Sequence, residues 1–162
     1  MTPPDEQHPQ INAVTAVLRA AGATGDLRIL PDGVRTAQAA ADAVGCPVGA
    51  IANSLIFDAD GEPVLILTSG AHRVDTAYFA REYGLPELRK ASPEFVRTHT
   101  GQTIGGVAPV AHPAPLRTYV DRWLADHETV WAAAGHSHAV FATTYEELQK
   151  LTGGEPVDVA AP

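Results

Sequence analysis

Cysteine is almost absent from this chain of 162 residues: Cys46 is the single one, so no disulfide can form within it. No run approaches the roughly 20 apolar residues that a membrane helix needs. The polar, proline-bearing start from Met1 to Gln10 lacks the basic-then-apolar order of a secretory signal. Positive charge is scarce as well. Lys+Arg 11 against Asp+Glu 19 leaves a net charge of −8, and Lys90 and Lys150 are the only lysines. Proteins that grip nucleic acid through phosphates usually show a basic face, so any RNA contact here has to be small. The gathering of Arg73, Arg81, Arg89, Lys90 and Arg97 reads first as solvated helix faces. These absences predict a soluble, cytoplasmic protein with neither a membrane nor a DNA partner.

What is present suits one domain over 1–162, with 1–10 and 153–162 as frayed tails. Ile11, Val14, Leu18 and Ala21 recur at helical spacing, and Gly22 can end that helix. Asp26 to Leu30 reads as a short strand. Thr36 caps an alanine-rich helix that stops at Gly45 and Pro47. Two β-favouring runs, Ala50 to Phe57 and Val64 to Thr68, flank the turn residues Asp60 and Gly61 of a hairpin. Asp75 opens a helix, and Ser92-Pro93-Glu94 opens another that reaches about Thr98. Leu116 to Val120 reads as a strand, Thr129 to Ala134 and Ala139 to Ala142 as an antiparallel pair. Thr144 to Glu147 reads as a capping box for the last helix. Hairpins outnumber long crossovers. The expected class is mixed α+β (α/β), built on a largely antiparallel, curved sheet.

The chemistry-bearing residues are few. His136 and His138 form an H-x-H pair that can share one strand face, but no acidic or cysteine partner stands at ligand spacing. Neither a metal nor another cofactor is expected. Cys46, between Gly45 and Pro47, reads as filler; a catalytic thiol needs a base in reach. There is no G-x-S-x-G elbow, and the run at Gly101 lacks the P-loop lysine. What remains is Thr100 to Pro109, with glycines at 101, 105 and 106. Such a loop can be a mere turn, or its N–H groups can polarise a carbonyl and hold an oxyanion.

Several runs, in order and spacing, carry a family resemblance. They are Ala52 to Phe57, Val64 to Thr68 with Ala71 to Asp75, Gly101 with Gly105 to Pro109, Tyr119 to Asp121, Ala134 to His136, and Thr144 to Leu148. Over roughly Thr36 to Leu151 the chain resembles the YbaK/EbsC group, also found as the editing insertion of bacterial prolyl-tRNA synthetases. The resemblance implies a YbaK-like, barrel-like curved sheet and hydrolysis of the ester that joins a wrong amino acid to the tRNA 3′ end. It implies no metal. The partner would be the aminoacyl-tRNA acceptor end, with a synthetase as a further candidate partner; oligomeric state is left open.

Carried over residue by residue, the family's G-x-x-x-P loop falls on Gly105, Gly106, Val107, Ala108 and Pro109, whose backbone would hold the aminoacyl carbonyl. Gly101 precedes it as a substrate-side position. The family's strand lysine falls on Asn53, beside Ser54, in Asn53-Ser54-Leu55. Asn53 brings hydrogen bonds but no charge, and Arg35 or Arg73 is a candidate to compensate. Its plain alternative is a polar strand residue facing solvent. Gly135 and His136 fall where the family often has a histidine near the pocket; a loop histidine between two strands is the alternative. The competing functional reading is a catalytically degenerate binding or protein-interaction module, because Asn53 replaces the lysine.

Overall fold

The computed structural model describes residues 9–31, 34 and 36–160; Arg35 and the first eight residues lie outside them. Helix α1, Pro9–Ala20, buries Ile11, Val14 and Leu18 on one face. It ends at Gly22, whose φ of 86° only glycine adopts cheaply. After β1, Leu27–Ile29, comes α2, Ala37–Val44. The Thr36 hydroxyl caps α2 by accepting from Ala39 N at 3.0 Å, and Gly45 closes it in a left-handed turn.

The hairpin is longer than its apolar runs. Strands β2, Ile51–Ala59, and β3, Glu62–Ser69, pair out to Ala59↔Glu62, leaving Asp60 and Gly61 as a two-residue turn with both φ positive. The Asp58 carboxylate accepts from Gly61 N at 2.6 Å and fixes that turn. Helix α3, Thr76–Glu82, starts on an Asp75 cap. Strand β4, Leu88–Lys90, follows, and then α4, Pro93–Thr100, capped by Ser92 and ended by Gly101. Strands β5, Arg117–Asp121, β6, Val130–Ala133, and β7, Ala139–Thr143, lead to α5, Tyr145–Thr152, and β8, Glu155–Val157.

Among the described residues, eight strands join one sheet in the order β1-β7-β6-β2-β3-β5-β8, with β4 on β2. It is curved but open, ending at β1 and β8. Four ladders are antiparallel, but β2·β6, β3·β5 and β5·β8 run parallel, so the sheet is mixed more evenly than the hairpin count suggested. Two strands went unforeseen. β4 and β8 have three residues each, too few to show a period, and β8 lies within the segment read as a C-terminal tail. The capping box is half made: Thr144 accepts from Glu147 N, while the Glu147 carboxylate takes the Thr143 hydroxyl at 2.6 Å.

Strand alternation sorts the core. Leu65 and Leu67 of β3 pack with Ile11, Val96 and Leu148 on one face, and Val64 and Ile66 pack with Phe79 and Tyr119 on the other. Burial of both faces explains why β3 reads as a continuous apolar run. A third cluster, around Ile51, Trp131 and Val140, lies beneath α2.

Candidate active site

Strand β2 is where the sheet opens. Its edge away from β3 is shared: β6 pairs Ile51 and Ala52, and β4 pairs Phe57 to Ala59. Among the described residues no strand covers 53–56 on that side. Such an edge offers N–H and C=O groups to an extended ligand. A pocket of about 590 Å³ opens over it, within the ~300–1,000 Å³ range of small-molecule clefts. Its walls are mostly apolar and include Leu55, Phe57, Val96, Val107 and Trp131.

Asn53 and Ser54 both line the pocket, from opposite faces of the strand. Ala52 and Ile56 pack in the same cluster as Val107 and Ala108. Ser54 alternates with them and so shares the face toward the glycine loop. Its Oγ is buried with no hydrogen-bond partner among the described residues. Asn53 stands opposite Thr68, on the other face.

The glycine loop is held by side chains that sequence reading passed over. Gln102 is 1% exposed. Its Oε1 accepts from Ala108 N at 2.7 Å, and its Nε2 donates to Val110 O at 3.1 Å. His112 Nε2 donates to Ala108 O at 2.8 Å. The Ala108 peptide is therefore gripped at both ends. Burial holds the His112 imidazole below its ordinary value of 6.5, with the bond to Ala108 pulling partly back.

This grip decides which loop donors are left. Ala108 N is spent on Gln102, Gly106 N donates to Thr103 O at 3.0 Å, and Pro109 has no N–H. Within 105–109, the N–H groups of Gly105 and Val107 have no partner among the described residues, and both residues line the pocket. Gly105 has φ 90°, a conformation that strains any side chain. Gly106 lies instead against the β6–β7 connection, where an added Cβ would stand 2.6 Å from the His136 backbone.

The other expected positions do not reach the pocket lining. Gly101 is the left-handed end of α4. Ala108 and Pro109 are buried behind the loop. Gly135, at φ 97°, packs against α1, where a Cβ would meet Gln10 O at 2.7 Å. His136 is turned into its own hairpin, its Nδ1 accepting from His138 N at 3.1 Å; Ser137 lines the pocket in its place. Arg73 is exposed and outside the lining. Lys90, grouped above with solvated helix faces, sits on β4 and lines the pocket. A lysine at the end of a three-residue strand has no pattern to reveal it; its rarity in the chain was the one available signal.

Two further features are structural. Asp121 is fully buried, accepting from Ser69 N at 2.9 Å and Trp123 N at 3.1 Å, and it contacts His72 Nδ1 at 2.8 Å. It ties β3 to β5 and the turn that follows. Burial raises the Cys46 thiol above its usual range, which favours the protonated, unreactive form. Among the described residues no three His, Cys, Asp or Glu side chains converge as a metal site, and no helix is long and apolar enough to cross a membrane.

A curved α+β sheet, uncovered among the described residues along part of one strand edge beside a clamped glycine loop, frames an apolar cleft. The family model "Aminoacyl-tRNA editing domain" matches residues 31–151, and the chain belongs to that family. Protein YwhH of Bacillus subtilis (strain 168), itself uncharacterised, is 31% identical over 118 residues, covering 72% of this chain and 74% of its own length. The proline–tRNA ligase of Staphylococcus aureus (strain Newman) is 29% identical over 93 residues, 57% of this chain but only 16% of the ligase. A crystal structure described as a candidate trans-editing enzyme for prolyl-tRNA synthetase superposes with TM-score 0.90 at 40% identity, covering 97% of this chain and 100% of the other. The YbaK-like resemblance and the fold drawn from the sequence are those that the comparisons return.

Proposed function

We propose that the chain is a trans-acting deacylase that hydrolyses the ester of a mischarged tRNA. The observation that carries this reading is that Gly105 and Val107, both lining the pocket, keep loop N–H groups with no partner among the described residues. In this reading they donate to the aminoacyl carbonyl oxygen. Water adds to the carbonyl carbon, and the oxyanion that forms is held by donors already in place, which is where such hydrogen bonds contribute most. Collapse breaks the bond to the ribose oxygen, which takes the proton given up by the water. The described lining carries no carboxylate or imidazole to act as base. That supports relay of the proton through the vicinal ribose hydroxyl, with the protein contributing position and electrostatics. Size selection in an apolar pocket discriminates one methylene by about 1–3 kcal/mol, which suits a second sieve acting after a synthetase.

The test is a panel of charged tRNAs offered to the purified chain. At least one is expected to lose its amino acid faster than by spontaneous hydrolysis; a panel with no such member sinks the reading. Asn53 favours one alternative, a binding module that has lost turnover. Asn53→Lys separates the two: a large gain in rate marks the present chain as degenerate, whereas a loss marks Asn53 as part of a working site.

A further inference from the structure

Among the described residues the pocket lining is apolar or neutral with one exception. Lys90, the last residue of β4, is exposed and is the only ionisable side chain among the described lining residues. Among the described residues no carboxylate pairs with it, whereas its neighbour Arg89 lies 3.6 Å from Glu87. Strand register fixes its place. Lys90 stands opposite Phe57, and directly opposed residues share a sheet face. Phe57 alternates with Leu55 and Asn53 along β2, so Lys90 lies on the face of Asn53. It sits at the far end of the uncovered stretch, about 13 Å along the strand at ~3.3 Å per residue. A charge there does not substitute for one at Asn53. It meets a chain running along the strand edge at the other end of the opening.

We propose that Lys90 anchors a phosphate of the substrate's 3′-terminal RNA strand while the ester lies at the 105–109 loop. The RNA nature of the ligand rests on the deacylase reading. With a net charge of −8 the chain as a whole repels a polyanion, so a cation that stands alone among the described lining residues determines where the strand settles. An ammonium on a flexible stem serves as a point charge for phosphate without fixing its orientation. Remote from the reacting carbonyl, it acts equally on ground and transition states, so it lowers KM and leaves kcat alone.

Lys90→Gln, Lys90→Arg and a charge-matched control, Lys150→Gln on α5, are compared with the unsubstituted chain. Binding of a 5′-labelled single-stranded RNA ending in CCA is followed by fluorescence anisotropy across a salt series. Lys90→Gln is expected to weaken binding about tenfold at low salt and to lower the slope of log K against log salt by ~0.7, the signature of one phosphate contact on a single strand. Lys90→Arg should keep both values, and Lys150→Gln should change neither. Unchanged affinity and slope in Lys90→Gln overturn the proposal, as does an equal loss in Lys150→Gln. Deacylation by the same proteins separates this anchor from the hydrolase reading. A chain that binds RNA through Lys90 yet deacylates nothing sinks the hydrolase reading and upholds the anchor. A chain that deacylates, with KM indifferent to Lys90→Gln, sinks the anchor alone.

Discussion

Ser54 brings a hydroxyl to the pocket wall. Its hydroxyl is buried without a partner among the described residues, and leaving such a group unsatisfied costs about 1–3 kcal/mol. A substrate hydroxyl or amine at the pocket wall would satisfy it. Ser54→Ala should therefore leave stability equal or raise it by up to ~1 kcal/mol, while KM rises several-fold. Urea midpoints and steady-state rates on the same protein check both signs together; lower stability with unchanged KM would assign Ser54 to packing. At this scale the sequence named Asn53 and Ser54 through a motif, but the motif did not say that they face opposite sides of β2. It also pointed at His136, whose Nδ1 is occupied by its own hairpin, while Ser137 beside it lines the pocket. Which of two neighbours turns inward is set by the tightness of that turn and by α1 packed on Gly135.

The loop from Gly101 to His112 behaves as one element because Gln102 and His112 both hold Ala108. Gln102→Leu strands a buried N–H and a buried carbonyl at once, so the loop must shift to rehydrate them. A misplacement of about 1 Å at an oxyanion donor is enough for a 10²-fold loss, so kcat should fall about 10–100-fold with KM within about threefold. Gln102→Glu restores the bond to Ala108 N but not the one to Val110 O, and should recover part of the rate. An unchanged kcat in Gln102→Leu would remove Gln102 from the positioning of the loop. Elements with local punctuation were legible from sequence: the caps at Thr36, Asp75, Ser92 and Thr144 all form as spacing predicted. β4 and β8 were not, because a three-residue strand exists only through its neighbour. The Gln102 clamp was invisible for a related reason. A glutamine six residues from the amide it holds has no local signature, and only the fold of the loop brings the two together.

At the scale of the whole molecule, His112 couples stability to pH. Its folded imidazole lies below the ordinary value of 6.5, so as pH falls past that value the unfolded chain binds a proton before the folded one does. Stability from this group is therefore complete above about pH 6.5 and is lost as pH drops toward the folded value, with a slope of at most ~1.4 kcal/mol per pH unit. His112→Gln, which can still donate to Ala108 O, should flatten that part of the profile. Urea midpoints between about pH 7.5 and about pH 5.5 measure it, and an identical slope in both proteins would assign the acid sensitivity to other groups.

What the sequence determined by itself was local or compositional: the helices and their caps, the Asp60-Gly61 hairpin, the absence of a disulfide, the glycine loop, and the order of motifs that marks the family. These follow from backbone sterics, side chains bonding to nearby amides, and hydrophobic periods, all of which act over a few residues. The tertiary structure alone decided that among the described residues β2 is left uncovered between β6 and β4, that Lys90 reaches the opening from another strand, and that within 105–109 the N–H groups of Gly105 and Val107 keep no partner among the described residues. Those features depend on contacts between segments far apart in the chain, where strand pairing and buried hydrogen bonds settle the geometry and local propensity carries no information.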